Sequence, residues 1–163
     1  EAFQGLCIAT PQSRWLARQV RHTYTNPECW CLFDDVLRTL DQLSAQGWTH
    51  VLLSNHVPEL RGIIDHLGLG RRLARIFNSA ETGYEKPHPY AFQMVLNAFS
   101  ESTTVWMIGD SMKADVIGAQ ALSIPAILVH KQNEDARYAC DQISDVKTLI
   151  TQEQRQRSRS PQP

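Results

Sequence analysis

From Phe33 onward, short apolar runs take turns with stretches in which apolar residues recur every three or four positions. Short runs suit buried strands and the three-to-four spacing suits amphipathic helices, so the pattern predicts an α/β fold with a parallel, Rossmann-like sheet flanked by helices. Val36, Leu37, Leu40 and Leu43 have helical spacing, and Gly47 is placed to end that helix. Residues 51–53 then read as a short buried strand. Residues 56–67 read as a helix entered through Pro58 and closed by Gly68 and Gly70.

Residues 75–79 make a weaker strand candidate. Residues 89–99 form the next helix, with Phe92, Val95, Leu96 and Phe99 on one face. The most strand-like segment is 105–108, followed by a helix over 113–122 and a buried strand over 126–129. A last edge strand or helix is expected around 143–150.

The two ends depart from this rhythm. In residues 1–32, Leu16, Val20 and Tyr24 suggest a helix between Pro11 and Pro27, but no β unit is evident. Residues 151–163 are polar, with Arg-Ser repeats and two prolines, and are expected to be a disordered tail because they offer little to bury. The chain begins with Glu1 rather than Met, so it is expected either to have been cut or to start partway through a longer protein.

Composition narrows the class only modestly. The 163 residues are one domain's worth, and 42% hydrophobic with 20% charged content is ordinary for a soluble protein. A net charge of -1 without a basic run argues against nucleic-acid binding. No apolar stretch approaches the roughly 18 residues that span a bilayer, so no membrane partner is expected. Of the four cysteines, Cys29 and Cys31 are too tightly spaced for the usual Cys-x-x-Cys pattern. All four are expected to be packed or incidental thiols in a reducing, cytoplasmic setting.

In a parallel α/β sheet, functional groups collect at the carboxyl ends of strands. Ser54 lies at one such end and Gly109-Asp110 at another, while Lys86 follows a third; the three segments are expected to meet on one rim. Phosphoryl transfer needs charge neutralised on the oxygens in flight, an in-line nucleophile and a metal. Asp110 suits a Mg²⁺ ligand, since that ion takes one or two carboxylates plus waters and phosphate oxygens. Asp115 could bind the metal's waters or hold a neighbouring cation. Ser54 could bind a phosphate oxygen, and Lys86 could pair with the phosphate and a nucleophilic carboxylate. Each has a plainer explanation: Asp110 or Ser111 as a helix cap, Ser54-Asn55 as another cap, Lys86 as a solvated loop residue. Their conjunction in order is what favours chemistry.

Ser54-Asn55, the Gly-Tyr-Glu-Lys-Pro-His-Pro of 83–89 and the Gly-Asp-Ser-Met-Lys-Ala-Asp of 109–115 resemble motifs II, III and IV of the haloacid dehalogenase (HAD) superfamily. The likeness covers about residues 33–129. Residues 32–40 resemble the segment that leads from that family's cap back into its core. The resemblance implies residues 1–32 as part of a helical cap, 33–150 as a HAD-like core and 151–163 as the tail.

It further implies a Mg²⁺-dependent phosphatase acting on a small phosphorylated substrate through a phospho-aspartate intermediate. Implied site residues are Ser54 and Lys86 in catalysis, Ser54, Asn55 and Lys86 on the substrate, and Asp110 and Asp115 at the metal. The Gly-Asp-x-x-x-x-Asp form of motif IV resembles the phosphatase branch rather than the dehalogenases. Ser123 stands where relatives often have glycine.

The family's first motif, an apolar strand ending in Asp-x-Asp, is not found in the sequence. Asp34-Asp35 precedes a helical pattern rather than crowning a strand, and 5–10, the other candidate first strand, offers no carboxylate. The family places that strand between those ending at Ser54 and Asp110, so a gap is expected there. The chain alone is expected to be marginally stable and inactive, with its nucleophile upstream of Glu1. The alternatives are a non-catalytic HAD-like binding or regulatory protein, a haloacid dehalogenase-type hydrolase, or another phosphotransferase such as a phosphomutase.

Overall fold

A computed structural model describes the backbone of residues 11–100 and 103–159. Helix α1 (Pro11–Thr25) and a 3-10 turn (Pro27–Cys29) come first. Then follow α2 (Val36–Ser44), β1 (His50–Ser54), α3 (Leu60–His66), β2 (Leu73–Asn78), α4 (Ser79–Thr82) and α5 (Pro89–Leu96). The second half holds β3 (Met107–Gly109), a π-helical turn (Met112–Ile117) running into α6 (Gly118–Gln120), and β4 (Ala126–Val129). It closes with β5 (Ala139–Cys140), a 3-10 turn (Ile143–Asp145) and α7 (Val146–Arg159).

The expected parallel α/β architecture is present, as two sheets. β1 pairs with β2, Ser54 opposite Asn78. β3, β4 and β5 form the second sheet, with Gly109 opposite Leu128. All four residues of β4 are buried, as parallel strands normally are. β1 and β3 are half-buried throughout although their sequences are as apolar. Among the described residues each of these two strands has a ladder on one side only. Ser54 and Gly109, the two strand ends expected to carry chemistry, therefore both lie on strands with one edge unpaired among the described residues.

Two apolar clusters hold the layers. Ala91 and Phe92 of α5 pack with Val116, Ala119, Ile124, Ala126 and Leu128, and Leu53 of β1 leans on the same group. On the other side of β4, Ile127 and Val129 meet Cys140, Val146 and Ile150. Gly118 permits close approach of α6 to α5: a Cβ there would sit 2.8 Å from the Phe92 ring and 3.0 Å from Pro87. Burying Phe92 to 2% exposure is worth about 1.5–3 kcal/mol.

Several expectations need correction. Residues 151–159 are not a disordered tail: they continue α7, and Glu153 within them is 4% exposed. Its carboxylate accepts a short hydrogen bond from the Tyr138 hydroxyl and pairs with Arg137. A polar stretch can be ordered when one acid on its inner face has such partners. Of the thiols expected to be packed or incidental, Cys140 is buried and Cys29 and Cys31 are exposed; Cys7 and the strand candidate at 5–10 lie outside the described residues. Pro58 sits in the turn before α3 rather than in its first turn, and α5 ends at Leu96 instead of Phe99.

Ser123 adopts the left-handed conformation, φ 60°, with the Ile124 N–H donating to the Ala119 carbonyl at 3.0 Å. This is the helix-ending geometry that glycine fits without a Cβ penalty. Ser123→Gly is expected to stabilise the fold by about 1 kcal/mol, read as a raised urea midpoint at unchanged slope.

Candidate active site

β1 delivers Ser54 to the end of its sheet, and the chain then turns so that Asn55 reaches the loop before α5. The Asn55 side-chain amide donates to the Lys86 carbonyl at 2.9 Å and its oxygen accepts from the Lys86 N–H at 2.7 Å. Both backbone groups of Lys86 are thus held by one side chain, which fixes where its stem begins. The Lys86–Pro87 peptide is cis. Lys86 Nζ then donates to Asp115 Oδ1 at 2.6 Å, with side-chain exposures of 12% and 5%.

Asp115 is held from its other side. Its Oδ2 accepts from the Ser111 N–H at 2.9 Å, while Ser111 Oγ accepts from the Ala114 N–H at 3.1 Å. This is a reciprocal helix cap stretched by one residue, made possible by the π turn in which the Val116 N–H donates to the Ser111 carbonyl at 3.2 Å. The wider turn brings Asp115 inward over Gly109. A Cβ at Gly109 would lie 2.3 Å from Asp115 Oδ2, so only glycine fits. Ser111 is the cap that sequence suggested for Asp110 or Ser111, which leaves Asp110 free of that duty.

Asp110 is exposed and its Oδ2 accepts from Lys131 Nζ at 3.0 Å, with side-chain exposures of 64% and 56%. A cation is already drawn to this carboxylate, and solvent reaches it, which is the setting a one-carboxylate Mg²⁺ ligand needs. Asp115 differs: both its oxygens are engaged and it is buried, so its contacts serve the holding of Lys86. Among the described residues no cluster of three or more His, Cys, Asp or Glu gathers as a metal nest. Of the carboxylates on this rim, Asp110 is the one that could hold Mg²⁺, with Asp115 behind it.

The bonded chain Asn55–Lys86–Asp115–Ser111 spans both sheets. Ser54 is the neighbour of its first member and Asp110 the neighbour of its last. Lys131 was not singled out from sequence. It lies just past β4, where the strand-end rule points, but nothing in the surrounding residues marks it. His56, two residues after Ser54, donates its N–H to Ser79 Oγ at 3.1 Å. Its ring stacks on Tyr24 (centroids 4.7 Å apart) and meets Trp30 at 5.3 Å, and its buried Nε2 has no hydrogen-bond partner among the described residues. With the Arg21–Glu59 pair, this contact seats α1 and the following turn on the core.

A parallel α/β sheet with hydroxyl, ammonium and carboxylates at its strand ends defines a class, and residues 5–122 match the model of the haloacid dehalogenase-like hydrolases. The chain belongs to that family. It is 29% identical over 115 residues to haloacid dehalogenase-like hydrolase domain-containing protein 3 of Homo sapiens, covering 70% of this chain and 46% of that protein. To the ribulose-1,5-bisphosphate 5-phosphatase of Halopiger xanaduensis it is 30% identical over 113 residues, covering 68% and 47%. The chain thus spans about half the length of these relatives. Its fold matches that of the HAD-type protein YfnB of Bacillus subtilis, solved bound to magnesium, with TM-score 0.66 at 21% identity over 74% of this chain and 55% of that one.

Proposed function

We propose that this chain is part of a Mg²⁺-dependent HAD-type phosphatase acting on a small phosphorylated metabolite. The observation that carries the reading is the buried Lys86 ammonium, gripped at its backbone by Asn55 and at its tip by Asp115. A cation held this firmly is preorganised for charge on a phosphoryl group. Family membership and the phosphatase among the relatives support the same class.

In this reading Ser54 donates from hydroxyl and backbone N–H to a phosphoryl oxygen. Lys86 neutralises a second oxygen and orients the attacking carboxylate. Asp115 and Asn55 keep Lys86 aimed, and Asp110 is the metal ligand this chain supplies. Mg²⁺, when bound, would withdraw charge from the phosphoryl oxygens. Residues 1–32 belong to a helical cap that covers the rim and sets specificity. The nucleophilic aspartate belongs to a further strand, a reading that the edges of β1 and β3 left unpaired among the described residues support.

A second reading, a non-catalytic HAD-like binding protein, is favoured by one observation: the sequence holds no apolar strand ending in Asp-x-Asp. p-Nitrophenyl phosphate with Mg²⁺ separates the two. Residues 1–163 alone are expected to release no product, and the protein made from its complete coding sequence to turn over. Turnover by residues 1–163 that Asp110→Ala abolishes would contradict the placement of the nucleophile; an inert complete protein would favour the second reading.

A further inference from the structure

We infer, resting on the reading of Asp110 as the metal ligand, that Lys131 is a built-in counter-ion which a divalent cation must displace from that carboxylate. Lys131 Nζ donates to Asp110 Oδ2 at 3.0 Å. β3 and β4 run parallel with Gly109 opposite Leu128, so Asp110 and Lys131 leave the same end of the sheet. A four-carbon lysine stem is long enough to reach between adjacent strands, which lie about 4.8 Å apart.

Two surface side chains can meet without consequence. Here the segment that carries the lysine is fastened on both sides. His130, the residue after β4, has φ 61°, a left-handed conformation that residues with a Cβ seldom adopt. Its surroundings hold it there. The His130 N–H donates to the Cys140 carbonyl at 3.0 Å, and its Nδ1 donates to the Asp141 carbonyl at 2.9 Å. Its ring stacks on Phe33 with centroids 4.1 Å apart. Beyond Lys131, the Gln132 amide donates to Asp141 Oδ1 at 2.7 Å. Both chain neighbours of the lysine are therefore tied to one residue, the one that follows β5. Backbone held in a sparse region by several contacts gathers at functional sites.

Burial separates this pair from the other lysine–aspartate pair of the site. Lys86 and Asp115 are buried together, and parting them would leave a charge without water or partner. Lys131 and Asp110 have side-chain exposures of 56% and 64%, so the ammonium has room to swing into solvent. Metal and ammonium are drawn to the same carboxylate and repel each other. When a divalent cation takes Asp110, what it must overcome is the ion pair. An exposed pair of this kind is worth about two- to fivefold in an equilibrium constant. Lys131 thus lowers metal affinity by that factor and keeps Asp110 neutralised until the metal arrives.

Mn²⁺, which suits the same oxygen donors as Mg²⁺, is counted by loss of the free-ion paramagnetic signal and tests the exchange. The titration uses the protein from its complete coding sequence at low salt, where surface charges are least screened. Lys131→Met should bind Mn²⁺ about two- to fivefold more tightly, whereas Lys131→Arg, which keeps the charge, should not. Lys147→Met makes the same change of net charge in α7 and should leave affinity unaltered. In an Asp110→Asn background Lys131→Met should have no effect, because the lysine acts through that one contact. Asp110→Asn alone should weaken binding; unweakened binding there would sink the reading of Asp110 as the ligand, and the exchange with it. Weakened binding in Asp110→Asn together with unchanged affinity in Lys131→Met would overturn the counter-ion and leave the metal ligand standing.

Discussion

Asp115→Ala is expected to unfold the centre of the site and to cost the protein about 3–5 kcal/mol of stability. The substitution leaves the Lys86 ammonium, 12% exposed, without its anion, and strips the Ser111 N–H of its acceptor. That loss is a large share of the roughly 5–15 kcal/mol that holds a domain together. Replacing both partners, Lys86→Met with Asp115→Leu, is expected to return most of the stability, because a buried pair can give way to apolar packing of similar volume. Phosphatase turnover of the complete protein should not return with it. Urea unfolding of the single and double variants checks the first expectation, and product release the second. A double variant that regains turnover would show that Lys86 has no part in the chemistry.

Gly109→Ala is the second large effect. The new methyl would lie 2.3 Å from Asp115 Oδ2, 2.4 Å from its Cγ and 2.7 Å from its Cβ. Asp115 cannot swing aside without breaking its bonds to Lys86 and Ser111. Overpacking of this kind costs about 1–3 kcal/mol. Displacing Lys86 by even about 1 Å should lower turnover of the complete protein about 100-fold. Gly62→Ala is the control: it lies in α3, where a Cβ meets nothing within 4 Å, and it should change neither stability nor turnover for the worse. A Gly109→Ala protein with full stability would mean that the π turn is loose enough to absorb a methyl group.

Those two glycines also show what was legible beforehand. Local periodicity exposes β1, β4 and α2 because the apolar spacing of each is set by its own neighbours, and Gly47 and Gly68 end helices at positive φ as their positions suggest. The order Ser54, Lys86, Asp110 was readable from strand ends. The bonds that fix Lys86 among their neighbours were not, since Asn55 meets Lys86 only after a β-α crossover has folded. Lys131 escaped notice for the same reason: its partner Asp110 is brought alongside by β3–β4 pairing. The order of residues 151–159 depends on Glu153 finding Tyr138 and Arg137, a tertiary event that a polar stretch does not announce.

The exposed and buried carboxylates of motif IV divide the work in this account, Asp110 toward the metal and Asp115 toward Lys86. Mg²⁺-dependent hydrolysis of p-nitrophenyl phosphate by the protein from its complete coding sequence tests that division most directly. Asp110→Asn and Lys86→Met should each reduce turnover about 10²- to 10³-fold, and raising Mg²⁺ should partly rescue Asp110→Asn while leaving Lys86→Met unchanged. Turnover within twofold of the unaltered protein in either variant would contradict it.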